Sequence, residues 1–124
     1  FVNREEGAGA RLLLDQRLRA AGIESTLVRG YDKTVSSHFE VARAIASHQA
    51  DIGVGIRSAA QLFGLDFVPL QAARYDLVVP KGYLKSHPTL AHLFETIASR
   101  SFRAEIDALG GYDTTSTGTV QSLA

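Results

Sequence analysis

Asn3-Arg4-Glu5-Glu6-Gly7-Ala8-Gly9-Ala10-Arg11 follows an apolar Phe1-Val2 and runs straight into Leu12-Leu13-Leu14. The pattern reads as the end of a strand, a glycine turn and the first turn of a helix. Glycines at 7 and 9 allow a tight bend and a close approach of the backbone to a bound group. A helix starting there leaves its first N–H groups unpaired, at the end that carries partial positive charge. Such a place holds anions, and a flanking Arg4 or Arg11 adds a full charge. A short glycine pair is also what any tight strand-to-helix turn needs. The rest of the chain decides between the two.

Working outward, strands and helices alternate. Phe1–Asn3 is a strand end. The helix after it places Ala10, Leu13, Leu14, Leu18 and Ala21 on a buried stripe and stops at Gly22. Thr26–Arg29 reads as a short strand, and Tyr31–Ser37 as a polar loop. Ser37 and Glu40 have the spacing of a capping box, opening a helix that buries Val41, Ala42, Ile45 and Ala46. Asp51–Gly55 reads as a strand whose glycines leave room for a close neighbour. A short helix, Ser58–Phe63, and two further strands, Asp66–Leu70 and Tyr75–Val79, follow. Pro88 sits in the first turn of a helix bearing Leu90, Leu93, Phe94 and Ile97. Ser101 caps another, which carries Phe102, Ile106 and Leu109 and ends at Gly110. The tail, 113–124, is almost free of apolar residues and is expected to be flexible.

This alternation predicts an α/β fold, a mostly parallel sheet with helices on both faces. In such sheets ligands bind outside the carboxyl ends of the strands. Three turns lead into helix starts there: Arg4–Ala10, Thr34–Ser37 and Gly53–Ser58. Converging on one edge, they would make a strong anion site.

Composition narrows the classes. The 124 residues are 45% apolar, enough for one domain with a real core. Thirteen basic residues balance thirteen acidic ones, so neither a nucleic-acid surface nor an anionic membrane is expected as a partner. The longest apolar candidate, near Leu62–Leu70, is broken by Gly64, Asp66 and Pro69, far short of a membrane span. The absence of cysteine excludes disulfides and thiol chemistry and fits a cytoplasmic location. A chain opening on Phe1 inside a strand reads as a piece of a longer protein.

An ordered series of segments carries a family resemblance. It comprises residues 1–11, Gly30-Tyr31, Ser37-His38 with Val41-Ala42, Ala50–Gly55, Leu65–Leu70, Arg74–Leu77 and Gly111-Tyr112-Asp113. Over roughly residues 1–118 the chain resembles the periplasmic-binding-protein-like domain of some molybdopterin biosynthesis proteins and helix-turn-helix regulators. That domain is similar in fold to type II substrate-binding proteins and molybdate-binding proteins. The resemblance implies a two-lobed clamp in which residues 1–74 are most of the second lobe and 75–112 a return segment directed toward the first lobe, whose front part lies upstream of Phe1. The site it implies gathers Arg4, Gly7, Ala8, Gly9, Ala10, Arg11, Ser36, Ser37, His38 and Gly55, with Tyr75 from the returning strand. The expected ligand is a molybdate- or tungstate-like oxyanion, with no resident cofactor. The family commonly has Ser and Thr where Ala8 and Ala10 stand. Hydroxyls would donate to an oxyanion there, and the main-chain N–H groups remain.

Other polar residues have structural readings. His38 follows a cap, where a histidine serves capping and packing as readily as ligand binding. His48, His87 and His92 share no metal-ligand spacing, so no metal is expected. Glu5 and Glu6 have the look of an acid/base pair, yet carboxylates before a helix also follow from its dipole. Asp66 and Asp76 are placed to pair with Arg57 or Arg74. No nucleophile with its base stands out, which favours a small-anion binding or sensing module. The alternative is an enzyme domain holding a phosphorylated or pterin substrate. The stripes at 90–97 and 102–109 exceed what a lobe ending near 74 covers. Either the missing first lobe or a second copy, as a homodimer, is the expected partner.

Overall fold

The computed structural model describes residues 1–121. It divides into two compact units, Phe1–Val68 and the segment from Pro69 onward.

The first unit is built on three parallel segments. Strand β1 (Asn3–Arg4) pairs in parallel with β2 (Thr34–Val35), Asn3 opposite Thr34 and Arg4 opposite Val35. On the other side Val2 bridges Gly53, also in parallel. Main-chain bonds from Asn3 N–H to Lys33 O (2.8 Å), Glu5 N–H to Val35 O (3.2 Å) and Val2 N–H to Ile52 O (3.0 Å) fix the register. Helix α1 (Gly9–Ala20) follows β1, α2 (His38–Ala46) follows β2, and α3 (Arg57–Leu62) follows the Gly53 bridge.

The core is small and aliphatic. Val2, Val41 and Ala44 are buried together, with Val35, Ile45 and Ala50 packed against them. Ala59 and Ala60 bury the inner face of α3. Asn3, 1% exposed, is the buried polar residue of this layer. Its amide donates to Tyr31 O (3.1 Å) and its carbonyl accepts from Arg4 N–H (2.9 Å), so burial leaves neither half of the side chain without a partner.

Several elements differ from the sequence reading. Thr26–Arg29 is no strand: Ser25–Leu27 forms a 3-10 turn, and Leu27 is largely exposed. Its bonds run three residues back, Leu27 N–H to Glu24 O and Val28 N–H to Ser25 O. The second strand instead occupies Thr34–Val35, inside the predicted loop. A ladder two residues long is too short to leave an alternating pattern in the sequence. Asp51–Gly55 contributes one bridge only. Asp66–Leu70 and Tyr75–Val79 have no ladder partner among the described residues, and an apolar run becomes a strand only by pairing. The sheet is parallel as expected but much smaller. In α2 the buried positions are Val41, Ala42 and Ala44, whereas Ala46 is exposed. In α1 no residue is fully buried: Ala10, Leu13, Leu14 and Leu18 are half-buried, and Ala21 is exposed beyond the helix end.

The second unit holds α4 (Tyr83–Ser86), α5 (Pro88–Ala98) and α6 (Arg100–Leu109). Pro88 occupies the first turn of α5, as its fixed φ and missing N–H suit it to do. Ser99, not Ser101, caps α6, its hydroxyl accepting from Phe102 N–H at 3.2 Å. Leu93 and Leu109 are exposed, and Leu90, Phe94, Ile97, Phe102 and Ile106 only half-buried. Within the expected tail, residues 114–119 form two turns, Thr117 N–H to Thr114 O and Thr119 N–H to Ser116 O. Arg103 donates to Thr117 O at 2.8 Å, and Thr114 Oγ1 to Asp107 at 2.9 Å. The last three tail residues, 122–124, lie outside the described residues.

Candidate functional site

Parallel pairing has a direct consequence. Strand segments running the same way end at the same edge, so the chain leaves β1, β2 and the Gly53 bridge side by side. Each exit leads into a helix, so the amino ends of α1, α2 and α3 lie along one edge of this small sheet. The three turns read from the sequence lie at these exits.

The first exit is a tight turn, Ala8 N–H donating to Glu5 O at 3.2 Å. Gly7 sits in it at φ +86°, a left-handed conformation that side chains resist. Ala8 is the residue before α1, extended at φ −66° and ψ 136°, and its side chain makes no capping bond. No acidic residue occupies the first turn of α1. The N–H groups of Gly9, Ala10 and Arg11 therefore begin a helix that no side chain caps, at its electropositive end.

At the second exit Ser36 and Glu40 commit their donors. Ser37 Oγ accepts from Glu40 N–H at 3.1 Å, as the Ser-x-x-Glu spacing predicts. The Glu40 carboxylate reaches one residue further back than a capping box would take it. It accepts from Ser36 N–H at 2.8 Å and from Ser36 Oγ at 2.9 Å. Those bonds hold its pKa below the ordinary carboxylate value.

Arg4 ties the first two exits together. Its guanidinium grips the Glu5 carboxylate through Nε (2.8 Å) and Nη2 (2.9 Å), and Nη2 also donates to Ser36 O at 3.3 Å. The Arg4 side chain is 11% exposed and that of Glu5 44%. The hydrogen-bonded pairing pulls the Glu5 pKa down to about 2 and raises that of Arg4. Arg11 donates to Arg4 O at 3.3 Å and lies over the Tyr31 ring, 4.9 Å from its centre. The Tyr31 hydroxyl in turn donates to Asp15 at 2.7 Å.

His38 opens α2 beside this pair. Its Nδ1 is buried and has no hydrogen-bond partner. Burial, and secondarily the Arg4 charge, lowers its pKa from the ordinary imidazole value and so favours the neutral ring. Gly55 leads toward α3, and a Cβ there would touch only Val41, at 3.9 Å.

Of the residues expected at the site, the first unit holds Arg4, Gly7, Ala8, Gly9, Ala10 and Arg11 at the first exit, Ser36, Ser37 and His38 at the second and Gly55 on the third, with Arg4 reaching from the first exit to Ser36 O. Tyr75 lies in the second unit and is 84% exposed. Sequence reasoning missed how Arg4 and Glu5 act as one unit, although their adjacency was the signal. It also missed Tyr31, the platform for Arg11, which nothing in the local pattern announces. Arg74 pairs with Asp76 at 2.9 Å as anticipated, whereas Arg57 lies over Phe67 rather than pairing with Asp66. Among the described residues no three His, Cys, Asp or Glu side chains gather as a metal set. A cavity of about 260 Å³ lies at the opposite edge, where Phe1, Lys33, Gln49 and Ala50 stand before the strands.

A family model for the PBP superfamily domain matches residues 1–98. The chain belongs to that superfamily. Membership makes this a periplasmic-binding-protein-like domain, and hence a ligand-binding module, with α/β character that accords with its parallel strands and flanking helices. The chain is 40% identical over 120 residues to the uncharacterized protein YvgK of Bacillus subtilis (strain 168), covering 97% of this chain and 38% of YvgK. It is 36% identical over 110 residues to an uncharacterized protein in the ferredoxin 2Fe-2S gene 5' region of Clostridium pasteurianum. There the match covers 88% of this chain and 96% of the relative. This PBP-like chain thus spans well under half the length of the Bacillus relative. No solved structure matches it. Among the described residues no helix is long and apolar enough to cross a membrane.

Proposed function

We propose that this PBP-like domain binds a small oxyanion at the edge where its three parallel segments end. The observation that carries the reading is the uncapped start of α1, flanked by Arg4 and Arg11, with Arg4 reaching Ser36 O ahead of α2. Main-chain N–H groups at a helix amino end supply donors and a favourable field for a negative group. The resemblance in sequence points to molybdate or tungstate, within a molybdopterin-biosynthesis or transcription-regulatory protein. Because Ala8 and Ala10 bring no hydroxyl, the backbone supplies the donors at this turn. Arg4 acts mainly by shaping the turn, since Glu5 already neutralises much of its charge. Binding in such a module favours the closed arrangement of a clamp over the open one, and that shift is the signal a sensing protein passes on.

The test is titration calorimetry of the chain against molybdate, tungstate, sulfate and phosphate. Measurable affinity for at least one is expected. Ala8→Ser, which adds a hydroxyl at the helix start, should strengthen it several-fold. Arg4→Glu should abolish it while circular dichroism shows the fold retained. No binding of any of the four ions, by the parent chain and the Ala8→Ser variant alike, would overturn the reading.

A further inference from the structure

We draw no further inference here: the strongest candidate, the exposed apolar stretch of the chain around Val68, Tyr75, Leu77 and Val78, carries nothing because nothing in the structure shows what covers it.

Discussion

Gly53 is where the third parallel segment meets the first, and replacing it with alanine tests the whole arrangement. A Cβ added at Gly53 would lie 2.7 Å from Val41 Cγ1, 2.8 Å from Val2 O and 3.0 Å from Val2 Cγ1. Carbon atoms in contact prefer roughly 3.5–4.0 Å, so an adjustment approaching an ångström is needed. None of the neighbours yields easily. Val2 and Val41 are 5% and 2% exposed, and Val2 is held to Ile52 by a main-chain hydrogen bond. Overpacking of this kind costs about 1–3 kcal/mol, and main-chain involvement argues for the upper half of that range. With a urea dependence of about 1–3 kcal/mol per molar, the unfolding midpoint should fall by on the order of 1 M. Gly55→Ala is the control, because its Cβ would meet only Val41 at 3.9 Å and its φ is not positive. That substitution should change stability by no more than about 1 kcal/mol, in the stabilising direction if the unfolded chain dominates. Urea titration followed by far-ultraviolet circular dichroism reads both variants. Equal midpoints for Gly53→Ala and the parent, at equal slope, would mean that residue 53 does not lie against Val2. The alignment of three helix starts on one edge would then fail with it.

Three other outcomes are expected. Because the folded-state pKa of Glu5 is depressed from 4.5 to about 2, its pairing stabilises the fold fully above pH 4.5, and that contribution is lost as pH falls toward 2. The stability gap between the parent and Glu5→Gln, measured in urea from pH 6 to pH 3, should therefore shrink with acidification; a gap that widens would refute the pairing. For His38 the folded state also prefers the lower pKa, but the neutral form is the base. Its contribution is present above pH 6.5 and is lost as pH drops from there through the folded value, so in an NMR titration its ring should ionise below 6.5, and ionisation at or above 6.5 would contradict its burial. Ser99→Ala should destabilise α6 by about 0.5–2 kcal/mol and Ser101→Ala by clearly less, since Ser99 supplies the cap; the reverse order in thermal or urea unfolding would move the helix start.

Local chemistry made much of this domain legible in the residues themselves. Glycine at 7, where φ is positive, Ser37 three residues before Glu40, Pro88 at a helix start and Gly110 after a helix end each act through a few neighbouring atoms. The helix after Gly9 and the parallel character of the sheet followed from those signals and from element order. The strands did not. Thr34–Val35 pairs over only two residues, whereas Thr26–Arg29, with better strand composition, gives Thr26 and Leu27 to the 3-10 turn Ser25–Leu27. Strand formation depends on a partner distant in sequence, which local propensity does not specify. The same holds for the site. Glycines 7 and 9 and the nearby arginines announced an anion-holding turn. Only the fold placed Ser36 O against Arg4, Tyr31 beneath Arg11 and a buried Nδ1 on His38 beside the Arg4–Glu5 pair. The Arg4–Ser36 contact joins residues 32 apart in the chain, and the register of β1 against β2 brings them within reach.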